Sequence, residues 1–526
     1  MGPLKGVTPA GNFARVTVGI TLMAAAACSG HTAPATSPAT PKPSRAVREL
    51  RSDLSMVFNA PAMARGVWGV DIRSVDTGEV LFSHNGDRLM MPASNMKILT
   101  LATAAQTLGW DYRFATTLET TAPIEDGIIR GDVIVRSNGD PTINTRDNRA
   151  TAVFDQWANA LREGGITAIE GRVIGDDQAF DDDGVGPGWS WDYLEAGYAA
   201  PSGALEFNEN TAEVTISPGA APGDPAIASI TPGTGLLLTN RAVTIQPSLR
   251  ASGSTVQPAA DARRASVDLR RRIDRPEIEI TGTVALGAEA SRRTIAVLNP
   301  TLYLAEAVKG ALTSRGIEVG GAAVDIDDVA VELIKTASAE RRVLARTESP
   351  ALRDIATVLM KVSQNLYAET LLKAVATKNG AVGTTDSGRA VAVQLFTSWN
   401  IPRDSYVMSD GSGLSRYNYV APSTVTTVLQ RMYTDPVHRD AFLATLPIAG
   451  KDGTISTRMR KTRAAENARA KTGSIANVRS LSGFVKSRDG EMLVFSIIAN
   501  DFVASAATVN YLADLAVETL SNFTRR

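Results

Sequence analysis

Met91-Pro92-Ala93-Ser94-Asn95-Met96-Lys97-Ile98-Leu99 is the stretch from which the rest of this chain can be read. Pro92 disfavours helix before it. Beyond it, Met96, Leu99, Leu101, Ala104, Ala105 and Leu108 follow helical spacing as far as Gly109, a suitable stop. Ser94 is therefore expected to open a helix, with Lys97 three residues on and on the same face. That pairing meets two needs of nucleophilic catalysis. A desolvated lysine can sit neutral and take the serine proton. A helix N-terminus supplies backbone donors and the positive end of a dipole. A lone Ser-x-x-Lys is common, so the weight falls on what accompanies it.

With 526 residues, two or three domains are the expectation. The net charge of −1 gives no support for nucleic-acid binding or a polybasic membrane patch. Lys5 and Arg15 precede a short apolar run, Val16 to Ala27, too short to span a bilayer and suited to an export signal. Cys28, the only cysteine, follows four alanines. The segment 1–28 resembles a bacterial lipoprotein signal in which Cys28 would be lipidated, with ordinary cleavage nearby as the alternative. Residues 29–45 are rich in Pro, Ser, Thr and Ala and read as an extended tether.

Ordered structure is expected from about Ala46, with an amphipathic helix from Val47 to Phe58. A hairpin follows, in which Trp68, Val70 and Ile72 alternate with Gly69, Asp71 and Arg73, and the chain returns through Val80-Leu81-Phe82. Residues 116–345 carry many short β-rich runs punctuated by Gly, Pro and Asp. From about Pro350 the pattern turns helical, and the chain ends in strands near 468–475, 481–486 and 492–499 and a final helix. Strands at both ends, with helices between, predict one α/β domain (46–115 and 346–526) split by an insertion (116–345).

Three polar clusters lie in order: Ser94-x-x-Lys97, Ser363-x-Asn365 and Lys471-Thr472-Gly473. Ser94 would attack a carbonyl and Lys97 accept its proton. Ser363 and Lys471 could pass that proton to the leaving nitrogen. Asn365 could hydrogen-bond Lys97 and a substrate amide. Lys471 and Thr472 could bind a substrate carboxylate. Gly473 lets a strand edge approach closely. The Ser474 N–H could join that of Ser94 in an oxyanion hole. Each cluster alone is ordinary, since Ser-x-Asn often caps a helix; together, in this order, they mark penicillin-binding proteins and β-lactamases. None of His31, His84 and His438 has a motif context, so a Ser-His-Asp triad or histidine metal site is unsupported.

With those motifs, the chain resembles the D-alanyl-D-alanine carboxypeptidase/endopeptidase family, peptidase family S13, the class C or type-4 low-molecular-mass penicillin-binding proteins. The resemblance covers residues 46 to 522. Ser94 and Ser363 are 269 positions apart (363 − 94), a gap that the large inserted domains of this family explain. Gly139-Asp140-Pro141-Thr142, Gly188-Trp189-Ser190-Trp191-Asp192, Tyr198-Ala199-Ala200-Pro201, Asn208-Glu209-Asn210, Asp410-Gly411-Ser412-Gly413-Leu414-Ser415-Arg416 and Gly450-Lys451-Asp452-Gly453-Thr454 also look like family signatures. The resemblance implies an α/β (α+β) serine β-lactamase/penicillin-binding-protein-like transpeptidase domain, an antiparallel sheet with helices, interrupted by two nested β-rich inserted domains. It implies cleavage of the terminal D-Ala-D-Ala bond of peptidoglycan stem peptides, and also of cross-links, through an acyl-Ser94 intermediate that β-lactam antibiotics would also form. By similarity, Trp189, Asp192, Tyr198 and Arg416 would face the cleft and hold a diaminopimelate side chain. Ile475 stands where some members have methionine.

Two other readings compete. A β-lactamase needs a placed carboxylate and water for fast deacylation, and Ser363-Gln364-Asn365 has no acid at its centre. A silent envelope-binding lipoprotein has no need of Ser94, Lys97, Ser363, Asn365 and Lys471 together. The expected chemistry requires no metal or organic cofactor. The expected location is the extracytoplasmic envelope or periplasm.

Overall fold

The central sheet is built from the two ends of the chain. In the computed structural model, which describes residues 43–145, 148–231, 237–247, 249–252, 255–258, 265–271, 277–329, 341–378 and 380–525, five antiparallel strands make this sheet. They are β1 (Val67–Ser74), β2 (Val80–His84), β3 (Arg469–Ile475), β4 (Val478–Lys486) and β5 (Met492–Asn500), in spatial order β2-β1-β5-β4-β3. The register pairs Val70 with Ile497 across β1 and β5, and Gly473 with Ser480 across β3 and β4. The signal and most of the tether read from the sequence, with Cys28 and His31, lie outside the described residues.

Helices cover both faces of the sheet. α1 (Arg45–Phe58) starts two residues earlier than the sequence suggested, because the Ser44 hydroxyl accepts a hydrogen bond from Val47 N at 3.2 Å. Its Val47, Leu50, Leu54 and Val57 stripe packs with Trp68, Val70 and Ile72 of β1 and with the C-terminal helix. The opposite face of the sheet meets α2 (Met96–Leu108), α3 (Leu352–Lys361), α4 (Asn365–Thr377) and α5 (Pro422–Thr434) in a second apolar cluster. Asp71, on that face of β1, is buried; its carboxylate accepts from Arg73 Nε at 2.6 Å and Thr426 Oγ1 at 2.5 Å. The C-terminal helix is α6 (Ala506–Asn522).

α2 is the innermost helix: Met96 through Ala105 are all buried. Burying each of its large apolar side chains contributes roughly 1.5–3 kcal/mol, so this helix is held rigidly from every side. Gly109, at φ +85°, ends it. The entry differs from the expected simple helix start. Ala93–Asn95 form one 3-10 turn before α2, and Ala93 takes φ +47°, a left-handed conformation costly for alanine.

Residues between α2 and α3 form further β-rich structure with its own apolar clusters. A five-stranded mixed sheet (323–325, 173–176, 133–137, 115–120, 342–348) packs with the helices Arg149–Glu163 and Pro300–Ser314. Between Thr211 and Ala296 a three-stranded and a four-stranded sheet share another cluster. The helix Thr385–Ser398 went unmarked in the sequence because only Gly388, Ala392 and Phe396 of its residues are buried.

Candidate active site

A cleft of about 550 Å³ opens along the free edge of β3. Ser94, Ser363, Asn365, Thr472, Gly473 and Ser474 line it, so the three sequence clusters meet in space. Each arrives by a different local device: the 3-10 turn before α2, the turn before α4, and the edge strand.

Lys97 is wholly buried, one turn into the protein from Ser94. Its Nζ has three neighbours: Ser94 Oγ at 3.1 Å, Asn365 Oδ1 at 2.6 Å and the Ser412 carbonyl at 2.8 Å. The last two are pure acceptors, and only the Ser94 hydroxyl can donate. An ammonium would donate to all three oxygens; a neutral amine would keep two N–H groups on the carbonyl oxygens and turn its lone pair to the serine proton. Burial drives the Lys97 pKa from 10.5 down to about 7, against the pull of Glu369 and Asp410, whose charges favour the ammonium.

Those two acids form a layer the sequence reading did not identify. Glu369, on α4, is buried and accepts from Gly411 N at 2.9 Å and Ser412 N at 2.8 Å; burial and the neighbouring Asp410 push its pKa up to about 7. Asp410 accepts from Gly413 N, Ser415 N, Asn418 Nδ2 and Trp189 Nε1 at 2.6–2.9 Å. The Asp-Gly-Ser-Gly loop is thereby fixed against the nucleophile. Gly413 has φ +84°, and a Cβ there would lie 1.8 Å from Ala93 O.

Lys471 is equally buried. Its Nζ donates to Ser363 Oγ and to the Thr472 carbonyl, each at 2.8 Å. Burial first, and Lys97 second, hold its pKa well below the usual lysine range. Lys471 is not among the residues lining the cleft; it lies buried beneath the edge strand. Thr472 does line the cleft and donates to Thr454 Oγ1 at 2.7 Å. Ser363 stands at φ +63°.

The backbone donors follow from strand register. Ala470 N bonds to Pro447 O, off the sheet edge, at 2.9 Å. Every second N–H of an antiparallel edge strand faces the same way, so the N–H groups of Thr472 and Ser474 point to the cleft side. Gly473 packs so closely on the 3-10 turn that a Cβ would lie 2.9 Å from Ser94 N and 2.7 Å from Pro92 O. Asn95 and Ser480 tie the turn to β4, through a hydrogen bond between their side chains and one from Ser480 Oγ to Pro92 O at 2.7 Å.

The four residues expected to form a side-chain pocket, Trp189, Asp192, Tyr198 and Arg416, lie as follows. Tyr198 lines the cleft, and its carbonyl accepts from Asn365 Nδ2 at 2.7 Å. Trp189 is buried in a small apolar cluster with Ala199 and Leu414, its indole N–H on Asp410. Asp192 is exposed and off the lining. Arg416 reaches the Ala476 carbonyl at 3.1 Å, at the cleft rim. Tyr193, Thr454, Arg458 and Asn510 also line the cleft and were not singled out from the sequence; of these, only Thr454 lay within a quoted motif. Among the described residues no group of His, Cys, Asp or Glu is arranged to hold a metal ion, and no helix is long and apolar enough to cross a membrane.

The chain is similar to proteins already known. A model of the D-Ala-D-Ala carboxypeptidase 3 (S13) family matches residues 50–519. The D-alanyl-D-alanine carboxypeptidase of an Actinomadura species is 32% identical over 465 residues, 86% of this chain and 81% of that protein. The D-alanyl-D-alanine carboxypeptidase DacB of Haemophilus influenzae is 28% identical over 440 residues, 82% of this chain and 85% of that one. The crystal structure of penicillin binding protein 4 (dacB) from Haemophilus influenzae shares the fold, with TM-score 0.75 over 90% of this chain and 99% of that one at 24% identity. The same protein was also solved complexed with a β-lactam.

Proposed function

The chain belongs to the D-Ala-D-Ala carboxypeptidase 3 (S13) family, and on that footing we propose that Ser94 is its nucleophile and Lys97 the base that activates it. The protein is a serine-type D-Ala-D-Ala carboxypeptidase; the roles of individual residues are our reading. The observation that carries it is the donor and acceptor pattern at Lys97 Nζ, which suits a neutral amine aimed at Ser94 Oγ.

In this reading Ser94 Oγ attacks the carbonyl carbon of the penultimate D-Ala as Lys97 takes the hydroxyl proton. The oxyanion meets the N–H groups of Ser94 and Ser474. The proton then passes through Ser363, held by Lys471, to the leaving amine nitrogen, and the C–N bond breaks. Water, activated by the same lysine, hydrolyses the acyl-Ser94 ester. Asn365 keeps Lys97 in place and presents an N–H to the substrate. The substrates are peptidoglycan stem peptides and their D,D-cross-links, and β-lactams acylate the same oxygen. The N-terminal segment ending at Cys28 supports export to the cell envelope and attachment there through a lipid.

Mass spectrometry of the purified protein with benzylpenicillin, followed over time and by peptide mapping, tests the assignment. A lasting adduct on the Ser94 peptide, absent from Ser94→Ala, is the expected result. A transient adduct with rapid product release would make the protein a β-lactamase. No adduct on folded protein would leave a non-catalytic peptidoglycan-binding role.

A further inference from the structure

A carboxypeptidase must recognise the free carboxylate at the end of its substrate, and an anion entering a cleft needs a cation or several donors to replace its water. Lys471 is sealed beneath the strand. Among the described residues lining the cleft, Arg458 is the one full positive charge, and no carboxylate side chain accompanies it. Other arginines near the rim are turned to backbone: Arg416 to Ala476 O, Arg479 to Ile475 O and Val478 O.

Arg458 is also held in advance. Its Nε donates to Asp514 Oδ1 at 3.0 Å and Oδ2 at 3.1 Å, and its Nη2 to Asp514 Oδ1 at 2.7 Å and to Asn510 O at 3.3 Å. Nη1, with two N–H groups, has no partner among the described residues. Asp514, on α6, does not line the cleft, so it braces the guanidinium from behind at the cost of part of its field. Thr454 and Thr472 line the same cleft; their hydroxyls bond to each other at 2.7 Å, which leaves one hydroxyl hydrogen unshared.

We propose that Arg458 binds the free C-terminal carboxylate of the substrate, with the unshared hydroxyl hydrogen of the Thr454–Thr472 pair as a further donor. The inference rests on the assignment of Ser94 as the acyl acceptor. It makes Arg458 the residue that separates a chain end from an internal or blocked peptide bond.

The test compares hydrolysis of an N-acylated D-Ala-D-Ala free acid with that of its C-terminal amide, using the full chain. Wild type is expected to prefer the free acid. Arg458→Gln should lower that preference about 10- to 100-fold, by loss of kcat/KM on the acid alone. Arg458→Lys, keeping the charge but not the fork, should fall between them. Asp514→Asn, which loosens the brace on Arg458, should lower kcat/KM on the free acid and leave the amide within about twofold. Equal loss on both substrates in Arg458→Gln, an unchanged preference, or a wild type with no preference would each overturn the proposal. Where Arg458→Gln fails to fold, the ratio in Arg458→Lys decides: a ratio equal to wild type overturns it. Benzylpenicillin labelling of Ser94 in wild type is run alongside; failure there would sink the catalytic assignment, whereas labelling with an unchanged ratio sinks only the role of Arg458.

Discussion

Lowering the pH from about 8 to about 5 should suppress acylation of Ser94 by one to two orders of magnitude while the protein stays folded. Burial lowers the Lys97 pKa to about 7, so the free amine is present above that value and lost as pH falls through it. For a single group, the neutral fraction falls from about 90% to about 1% over this range, roughly 2.7 kcal/mol in apparent barrier. Glu369 titrates over the same interval, up near 7. Its protonation on the acid side removes a negative charge that favours the Lys97 ammonium, so the limb should be shallower than one proton and the total loss about 10- to 100-fold. The assay is the second-order rate constant for benzylpenicillin acylation, read by intact mass at each pH, with circular dichroism as the folding control. A change under about threefold, or an acid limb centred near the ordinary lysine value, would refute the neutral-base argument.

Lys97→Arg should be acylated at least about 100-fold more slowly than wild type, because arginine stays protonated; near-normal labelling would remove Lys97 as base. Gly413→Ala should lose about 100-fold in acylation rate, since its Cβ would fall 1.8 Å from Ala93 O and shift the nucleophile; a crystal structure of the variant with Ser94 undisplaced and full activity would contradict this. Trp189→Phe removes one of four donors to Asp410. It should destabilise by about 1–3 kcal/mol, seen as a lower melting temperature, with KM within about twofold; a tenfold rise in KM at unchanged melting temperature would put the indole in the substrate pocket after all.

What could be read from the sequence divides along a physical line. Ser94 and Lys97 were legible because one local element fixes their separation, and the hairpin of β1 and β2 because alternation of Trp68, Val70 and Ile72 is itself the buried face. Ser363 and Lys471 were legible by family resemblance, since nothing local tells that the two side chains meet at 2.8 Å. Glu369 was hidden: it is one acid in a helical run, and the N–H groups it holds lie on a loop more than forty positions away. Arg458 was hidden among Arg460, Lys461 and Arg463, and only its brace on Asp514 sets it apart. Trp189 carries the converse lesson. An aromatic in a signature suggests a binding surface, and only the structure shows that its N–H also holds the Asp410 loop.

The pairing of β1 with β5 also sets an order of events. Val67–Ser74 finds its partner in Met492–Asn500, so about four hundred residues must be made before the central sheet can close. Contacts this distant in sequence form slowly. The edge strand that carries Lys471, Thr472 and Ser474 joins the sheet only through β4, itself placed by β5. A nascent chain that has passed Ser94, Ser363 and the whole insertion therefore still has no cleft. Activity arrives with the last strands, and a truncated product is an inert one.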